Sequence, residues 1–205
     1  MEKKIITISR EFGSGGRSIG RQVADSLGIP FYDKELVDEI AVESGFAPKF
    51  VEENGEHAPG KSLLSYAFTA QGVPGVMNGL STSDFLWNIQ CNVILQLADK
   101  CPCVIVGRNA DYILKDRSDC LNVYIHANMD FRADRIVHRY GEADKSPMTR
   151  LQEKDKRRRV NYQHYTGRTW GQSQNYDLCL CSSSLGVERC AEIIIDIYNK
   201  SKETK

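Results

Sequence analysis

The sequence predicts an α/β protein built on a parallel sheet, and three observations lead there. The chain opens on an apolar, β-branched run, Ile5-Ile6-Thr7-Ile8, that passes through a glycine loop straight into an amphipathic helix. A second run, Cys103-Val104-Ile105-Val106, is apolar throughout rather than alternating, the pattern of a parallel strand covered on both faces. Such runs alternate with segments whose apolar residues recur every three or four positions, as helices laid against a sheet require.

The opening element is the most informative. Glycines at 13, 15 and 16 form the loop, and Arg17 to Leu27 then keeps Ile19, Val23, Ala24 and Leu27 on one face until Gly28-Ile29-Pro30 ends the helix. In this order of elements the unpaired N–H groups of the helix's first turn point into one concavity that suits anionic oxygens, with no Cβ in the way at glycine. Gly13, Ser14, Gly15, Gly16, Arg17 and Ser18 are therefore the candidate anion-binding residues. Aligned on the phosphate-loop pattern G-x-x-x-x-G-K-[ST], Gly16-Arg17-Ser18 takes the last three places, Glu11 stands where the first glycine belongs, and Arg17 replaces the lysine. Arg17 still brings positive charge to a β- or γ-phosphate, as a longer, planar group. Ser18 is the candidate magnesium-side hydroxyl. A tight turn without a ligand is the competing reading, which the strand before and the helix behind disfavour.

At 205 residues the chain suits one α/β domain with a sizeable core. Lys plus Arg equals Asp plus Glu at 27 each, so no global field exists to hold a nucleic-acid polymer, and local clusters must carry any phosphate affinity. MEKKIITIS runs directly into the first strand, with no signal-like region and no stretch able to span a bilayer, so a cytoplasmic protein without membrane partners is expected. The seven cysteines lie mostly in apolar segments and read as reduced, core-filling thiols. Cys101-Pro-Cys103 and Cys179-Leu-Cys181 have C-x-C spacing instead of the C-x₂-C usual for zinc.

Phe31-Tyr32 is a short strand leading to Asp33, which is placed either to cap the next helix or to contact substrate; that helix carries Leu36, Val37, Ile40 and Ala41 and stops near Gly45. Residues 46–82 are broken by prolines and glycines and read as a mobile lobe. A helix starting at Ser83 or Asp84 presents Phe85, Leu86, Ile89, Val93, Ile94 and Leu97 as core. The Cys103 strand ends in Gly107-Arg108-Asn109, at the carboxyl edge where open α/β sheets bind ligands, so Arg108 is expected to contact an anion rather than form a surface salt bridge. Leu121 to Ile125 is another strand. Asn128 then caps a helix on which Arg132, Arg135 and Arg139 form one stripe. After the polar turn from Tyr140 to Ser146, Pro147 restarts a helix that carries Lys154-Asp155-Lys156-Arg157-Arg158-Arg159. A lone charge run reads as a solvated face, but two basic stripes across one short connection read as a phosphate-clamping lid, about residues 140–160. Trp170 falls in a loop, Tyr176 to Cys181 is the last strand, and Val187, Cys190, Ala191, Ile194, Ile197 and Tyr198 define a closing helix.

Taken together, the glycine loop, Tyr32-Asp33, Val106-Gly107-Arg108 and the paired arginine helices resemble the cytidylate kinase-like family, over nearly the whole chain and in order. The resemblance implies a three-layer P-loop fold: a five-stranded parallel sheet of order 2-3-1-4-5, helices on both faces and a short helical lid, in a single domain of residues 1–205 with a monophosphate-binding lobe at about 31–100. It implies transfer of the γ-phosphoryl of ATP to CMP or dCMP, with Mg2+. Residues 13–18 fall in the family's phosphate loop, and Asp33 where its monophosphate site begins. Arg108 and Asn109 fall in the segment that holds the nucleotide. Arg132, Arg135 and Arg139 fall in the first lid arm, and Arg157, Arg158 and Arg159 in the second. Three places depart from the family pattern: Arg17 replaces the loop lysine, and Val106 and Asn109 replace the aspartates on either side of Gly107-Arg108.

Competing functions are a kinase of a small hydroxyl-bearing metabolite, with Asp33 orienting the hydroxyl as in shikimate-kinase-like enzymes, and a nucleotide-binding regulator without catalysis. A dinucleotide-binding oxidoreductase is weaker, because the third glycine is missing at the required spacing. The apolar, glycine-broken lobe is compatible with a homodimer surface, which nothing in the spacing decides.

Overall fold

A computed structural model describes residues 2–55 and 80–203, so most of the lobe expected at 46–82 lies outside the described residues. Five strands, β1 (Ile5–Arg10), β2 (Phe31–Tyr32), β3 (Cys103–Val106), β4 (Cys120–His126) and β5 (Leu178–Cys181), form one sheet of order β2-β3-β1-β4-β5. Every neighbouring pair is parallel. Successive side chains of a strand face opposite layers, and the two cores divide accordingly. Cys103 and Ile105 join Ile5 on one face, packed by α2 (Lys34–Ser44) and α4 (Thr82–Lys100). Val104 and Val106 join Ile6 and Ile8 on the other, packed by α1 (Gly16–Leu27) and α9 (Val187–Glu203). Cys103 and Cys120 flank Ile5 in register, whereas Cys179 and Cys181 lie on β5, separated from β3 by two other strands.

The remaining elements are α3 (Pro48–Asn54), α5 (Ala110–Ile113), the long pair α6 (Met129–Tyr140) and α7 (Pro147–Thr166), a 3-10 turn (Ser173–Asn175) and α8 (Ser182–Leu185). Helix starts follow their caps. Ser81 accepts a hydrogen bond from the Asp84 N–H, so α4 begins one or two residues before the expected Ser83 or Asp84. Asn128 caps α6 through the Phe131 N–H, as expected, and Ser146 caps α7 through that of Thr149.

At the sheet edge, β5 starts two residues later than the apolar run suggests. The Asp177 N–H donates to the Asn122 carbonyl at 2.8 Å, but the Asn122 N–H is accepted by the Asp177 carboxylate, also at 2.8 Å, so a side chain takes the place of one backbone acceptor where the ladder begins. The Tyr176 ring stacks on Tyr124 at 4.9 Å, and Trp170 meets the same Tyr124 edge-on at 5.7 Å, which gives the loop aromatic a packing role. No helix among the described residues is long and apolar enough to cross a membrane.

Candidate active site

The site is built on the carboxyl edge of β1. Gly13 has φ +83°, and a Cβ there would fall 2.9 Å from the Arg132 carbonyl oxygen, so the loop lies directly against α6. Ser14 is fully buried; its hydroxyl donates to the carbonyls of Glu11 (2.9 Å) and Ile125 (3.1 Å). Ser14 thus shapes the loop and does not line the cleft. Gly15 caps α1 without a side-chain hydrogen bond. The first-turn N–H groups of Gly16, Arg17 and Ser18 have no intrahelical acceptor, as at any helix start, and these three residues line a cleft of about 200 Å³.

Cations from six directions line this cleft. Arg10 comes from the end of β1, Arg17 from α1, Lys34 from the start of α2, Arg135 and Arg139 from α6, Arg158 and Lys154 from α7, and Arg108 from the turn after β3. Glu11, Asp33 and Glu52 are its acidic lining. Focused in a concave wall, this excess of positive charge raises the local potential for a polyanion even though the chain as a whole is neutral. Asp33 makes no cap hydrogen bond; its carboxylate instead pairs with Arg17 Nε at 2.7 Å. Arg135 Nη2 donates to Ser18 Oγ at 2.9 Å, and Arg158 Nη1 donates to the Arg10 carbonyl at 3.2 Å.

Arg108 and Asn109 both hold left-handed backbone, with φ +57° and +55°. Conformations of this kind cost about 1–3 kcal/mol each in non-glycine residues and persist only where the surroundings enforce them. Here Gln90 Nε2 donates to the Arg108 carbonyl at 2.9 Å. The Arg108 guanidinium reaches the Val51 carbonyl at 3.3 Å and lies against Gly55, at the end of α3. Asn109 does not line the main cleft. Its Nδ2 donates to Asn161 Oδ1 at 2.9 Å, tying β3 to α7 beside a small cavity of about 20 Å³ that Trp170 also lines.

Two further sequence expectations need correction. Arg132 does not share the cleft-facing stripe of Arg135 and Arg139: it is buried, paired with Asp155 and, at 3.1 Å, with Glu11. Arg157 is exposed on α7 and lies outside the cleft, because a helix presents adjacent residues about 100° apart and Arg158 takes the inward direction. Sequence reasoning also missed Arg10 and Tyr140, which line the cleft. Arg10 had a usable signal, since it ends the first strand at the edge where ligands bind.

Beneath the cleft, Asp111 is buried and accepts hydrogen bonds from Tyr162 Oη (2.7 Å) and Ser9 Oγ (3.1 Å). Burial raises its carboxyl above the ordinary range, while those two donors pull the other way.

For magnesium, Ser18 offers one neutral hydroxyl on the first turn of α1, with Asp33 also lining the cleft. Among the described residues no three His, Cys, Asp or Glu side chains cluster to hold a metal. The donor set fits an ion brought in on nucleotide phosphates, which is how magnesium usually binds, with Ser18 as the protein's contribution.

The cytidylate kinase-like family model matches residues 5–184. A cytidylate kinase of Pyrobaculum aerophilum is 23% identical over 193 residues, covering 94% of this chain and 91% of that protein. Among solved structures, an uncharacterized protein of Eubacterium ventriosum superposes with a TM-score of 0.71 at 27% identity, covering 96% of this chain and 99% of that one. A shikimate kinase of Acinetobacter baumannii, in complex with shikimate, has a TM-score of 0.54 at 15% identity and 99% and 96% coverage, a likeness of fold. Because the match spans the phosphate loop, the Arg108 turn, both arginine-bearing helices and all five strands, this chain belongs to the cytidylate kinase-like family.

Proposed function

We propose that the chain transfers the γ-phosphoryl group of ATP to a nucleoside monophosphate, CMP or dCMP foremost. The observation that carries this reading is the single cleft in which the first turn of α1, Arg17, Arg108, Arg135, Arg139 and Arg158 face one another. Phosphoryl transfer asks a protein mainly for alignment and charge neutralisation, and this cleft supplies donors and cations. Family membership supports the use of ATP.

In this reading the N–H groups of Gly16, Arg17 and Ser18 and the Arg17 guanidinium hold the β- and γ-phosphates. Asp33 orients Arg17 through the 2.7 Å ion pair, which is how a longer guanidinium is held in a lysine's place. Ser18 would hold magnesium brought in with the nucleotide, and the ion would supply neutralisation of phosphate charge there. Arg135, which reaches the Ser18 hydroxyl at 2.9 Å, serves the transferring group. Arg108 holds the acceptor phosphate, and Arg139 and Arg158 close on the reacting oxygens and exclude water. An anionic acceptor oxygen needs no general base. A hydroxyl-bearing metabolite is the second reading; it is disfavoured because the carboxylate that would orient the hydroxyl, Asp33, is engaged by Arg17.

The test is ADP formation from MgATP against CMP, dCMP, UMP, AMP and GMP, with shikimate-like hydroxyl acceptors alongside and Arg17→Ala as control. Selective, Arg17-dependent turnover with CMP or dCMP is expected. Silence across the panel with ATP still bound by calorimetry would overturn the reading and favour a regulatory nucleotide-binding protein.

A further inference from the structure

The Arg132–Asp155 pair takes no part in the phosphate contacts above, yet it is a deeply buried ion pair beside them: the two side chains are 4% and 9% exposed. It joins α6 to α7, and it also reaches the phosphate loop. Arg132 Nε donates to the Phe12 carbonyl at 2.8 Å, and the Phe12 N–H donates to Asp155 Oδ1 at 2.8 Å. Both backbone polar groups of one loop residue are thus held by the two halves of a single ion pair. The Phe12 side chain completes the joint by packing with Ala133, Ile136 and Leu151 between the two helices.

We propose that Arg132 and Asp155 are positioning residues that clamp Phe12, so that the shape of the phosphate loop and the placement of the lid arginines are set together. The inference rests on the kinase reading for its catalytic consequence, but not for the clamp itself. Arg135 lies three residues beyond Arg132, and Arg158 three beyond Asp155, each about 4.5 Å further along its helix. Clamping Phe12 therefore fixes the height of both guanidinium groups above Gly13 and the first turn of α1. A buried ion pair whose only role was to neutralise charge could be exchanged for apolar residues of similar volume without loss of stability. A clamp cannot, because apolar side chains leave the Phe12 N–H and C=O unheld.

The experiment compares the wild-type chain with Asp155→Asn and with the double variant Arg132→Met, Asp155→Leu. Thermal unfolding, ATP affinity by calorimetry, kcat and KM with the best acceptor, and hydrogen exchange of peptides spanning residues 10–16 are measured on each. The double variant is expected to keep a cooperative transition, to exchange at residues 10–16 at least tenfold faster, and to lose at least 100-fold in kcat with KM changed less than fivefold. Asp155→Asn, which keeps an acceptor oxygen for the Phe12 N–H, should fall between. Wild-type kcat in the folded double variant would overturn the positioning role. If the wild type turns over no acceptor, the kinase reading fails while exchange still judges the clamp: unchanged protection at residues 10–16 in both variants overturns it, and faster exchange with weakened ATP binding supports it. Should the double variant not fold, Asp155→Asn decides by the same exchange measurement.

Discussion

Replacing Gly13 with alanine tests whether the phosphate loop is seated on α6 as closely as the structure has it. The residue has φ +83°, and an ideal Cβ would lie 2.9 Å from the Arg132 carbonyl oxygen and 3.0 Å from Ile136 Cγ2. Left-handed backbone costs an alanine about 1–2 kcal/mol. Overpacking against a neighbour that is backbone, and cannot swing aside, adds about 1–3 kcal/mol. For a chain of this size each kcal/mol lowers Tm by about 3 °C, so a loss of about 6–15 °C is expected. Gly28→Ala separates the two contributions. Gly28 is also left-handed, at φ +64°, but nothing lies within 4 Å of its added Cβ, so only the conformational cost applies and Tm should fall by about 3–6 °C. The assay is thermal unfolding of both variants in one buffer by circular dichroism. Equal losses in the two variants, within about 2 °C, would refute the close approach of the loop to Arg132 and with it the seat of the phosphate loop.

Three further outcomes are expected. Under the proposed mechanism, in which these groups act on the transferring phosphoryl, Arg135→Ala or Arg158→Ala should lower turnover by about 100- to 1,000-fold while ATP affinity changes little; unchanged turnover would sink the lid assignment. Asp111, whose carboxyl is raised by burial, binds its proton more tightly folded than unfolded, so the wild type should lose stability relative to Asp111→Asn as pH climbs from about 3.8 through the raised folded value. Chemical denaturation at several pH values reads this, and a pH-independent gap would contradict it. Among the thiols, hydrogen bonds from Ser183 and Ser184 lower Cys181, whereas burial pushes Cys103 and Cys120 up to about 12. Brief iodoacetamide treatment followed by peptide mass spectrometry should label Cys181 ahead of both, and early label on Cys103 or Cys120 in the folded protein would show the buried assignment to be mistaken.

Local periodicity and local chemistry were legible in the residue order, because a strand's alternation, a helix's three-and-four spacing and a glycine loop between them each need only near neighbours. The five strands, the cap at Asn128 and the arginine at the carboxyl edge of β3 all belong to this class. What the order of residues could not separate was the fate of like groups on one element. Arg132 and Arg139 share nearly the same direction around α6, yet one is buried in an ion pair and the other lines the cleft. Seven residues of helix place them about 10 Å apart along the axis, and only the loop packed against one end decides which is desolvated. Asp155 sits inside the most basic run of the chain and reads there as a break in it; folding turns it inward as the partner of Arg132 and the acceptor for Phe12. Asp33 likewise kept two readings until the side chain was seen paired with Arg17. The sequence by itself determined the fold class and most of the stretches that line the cleft, through interactions between near neighbours. Which charges face the cleft and which hold it together was decided only by tertiary structure, because burial and ion pairing depend on contacts between residues from sixteen to more than a hundred positions apart.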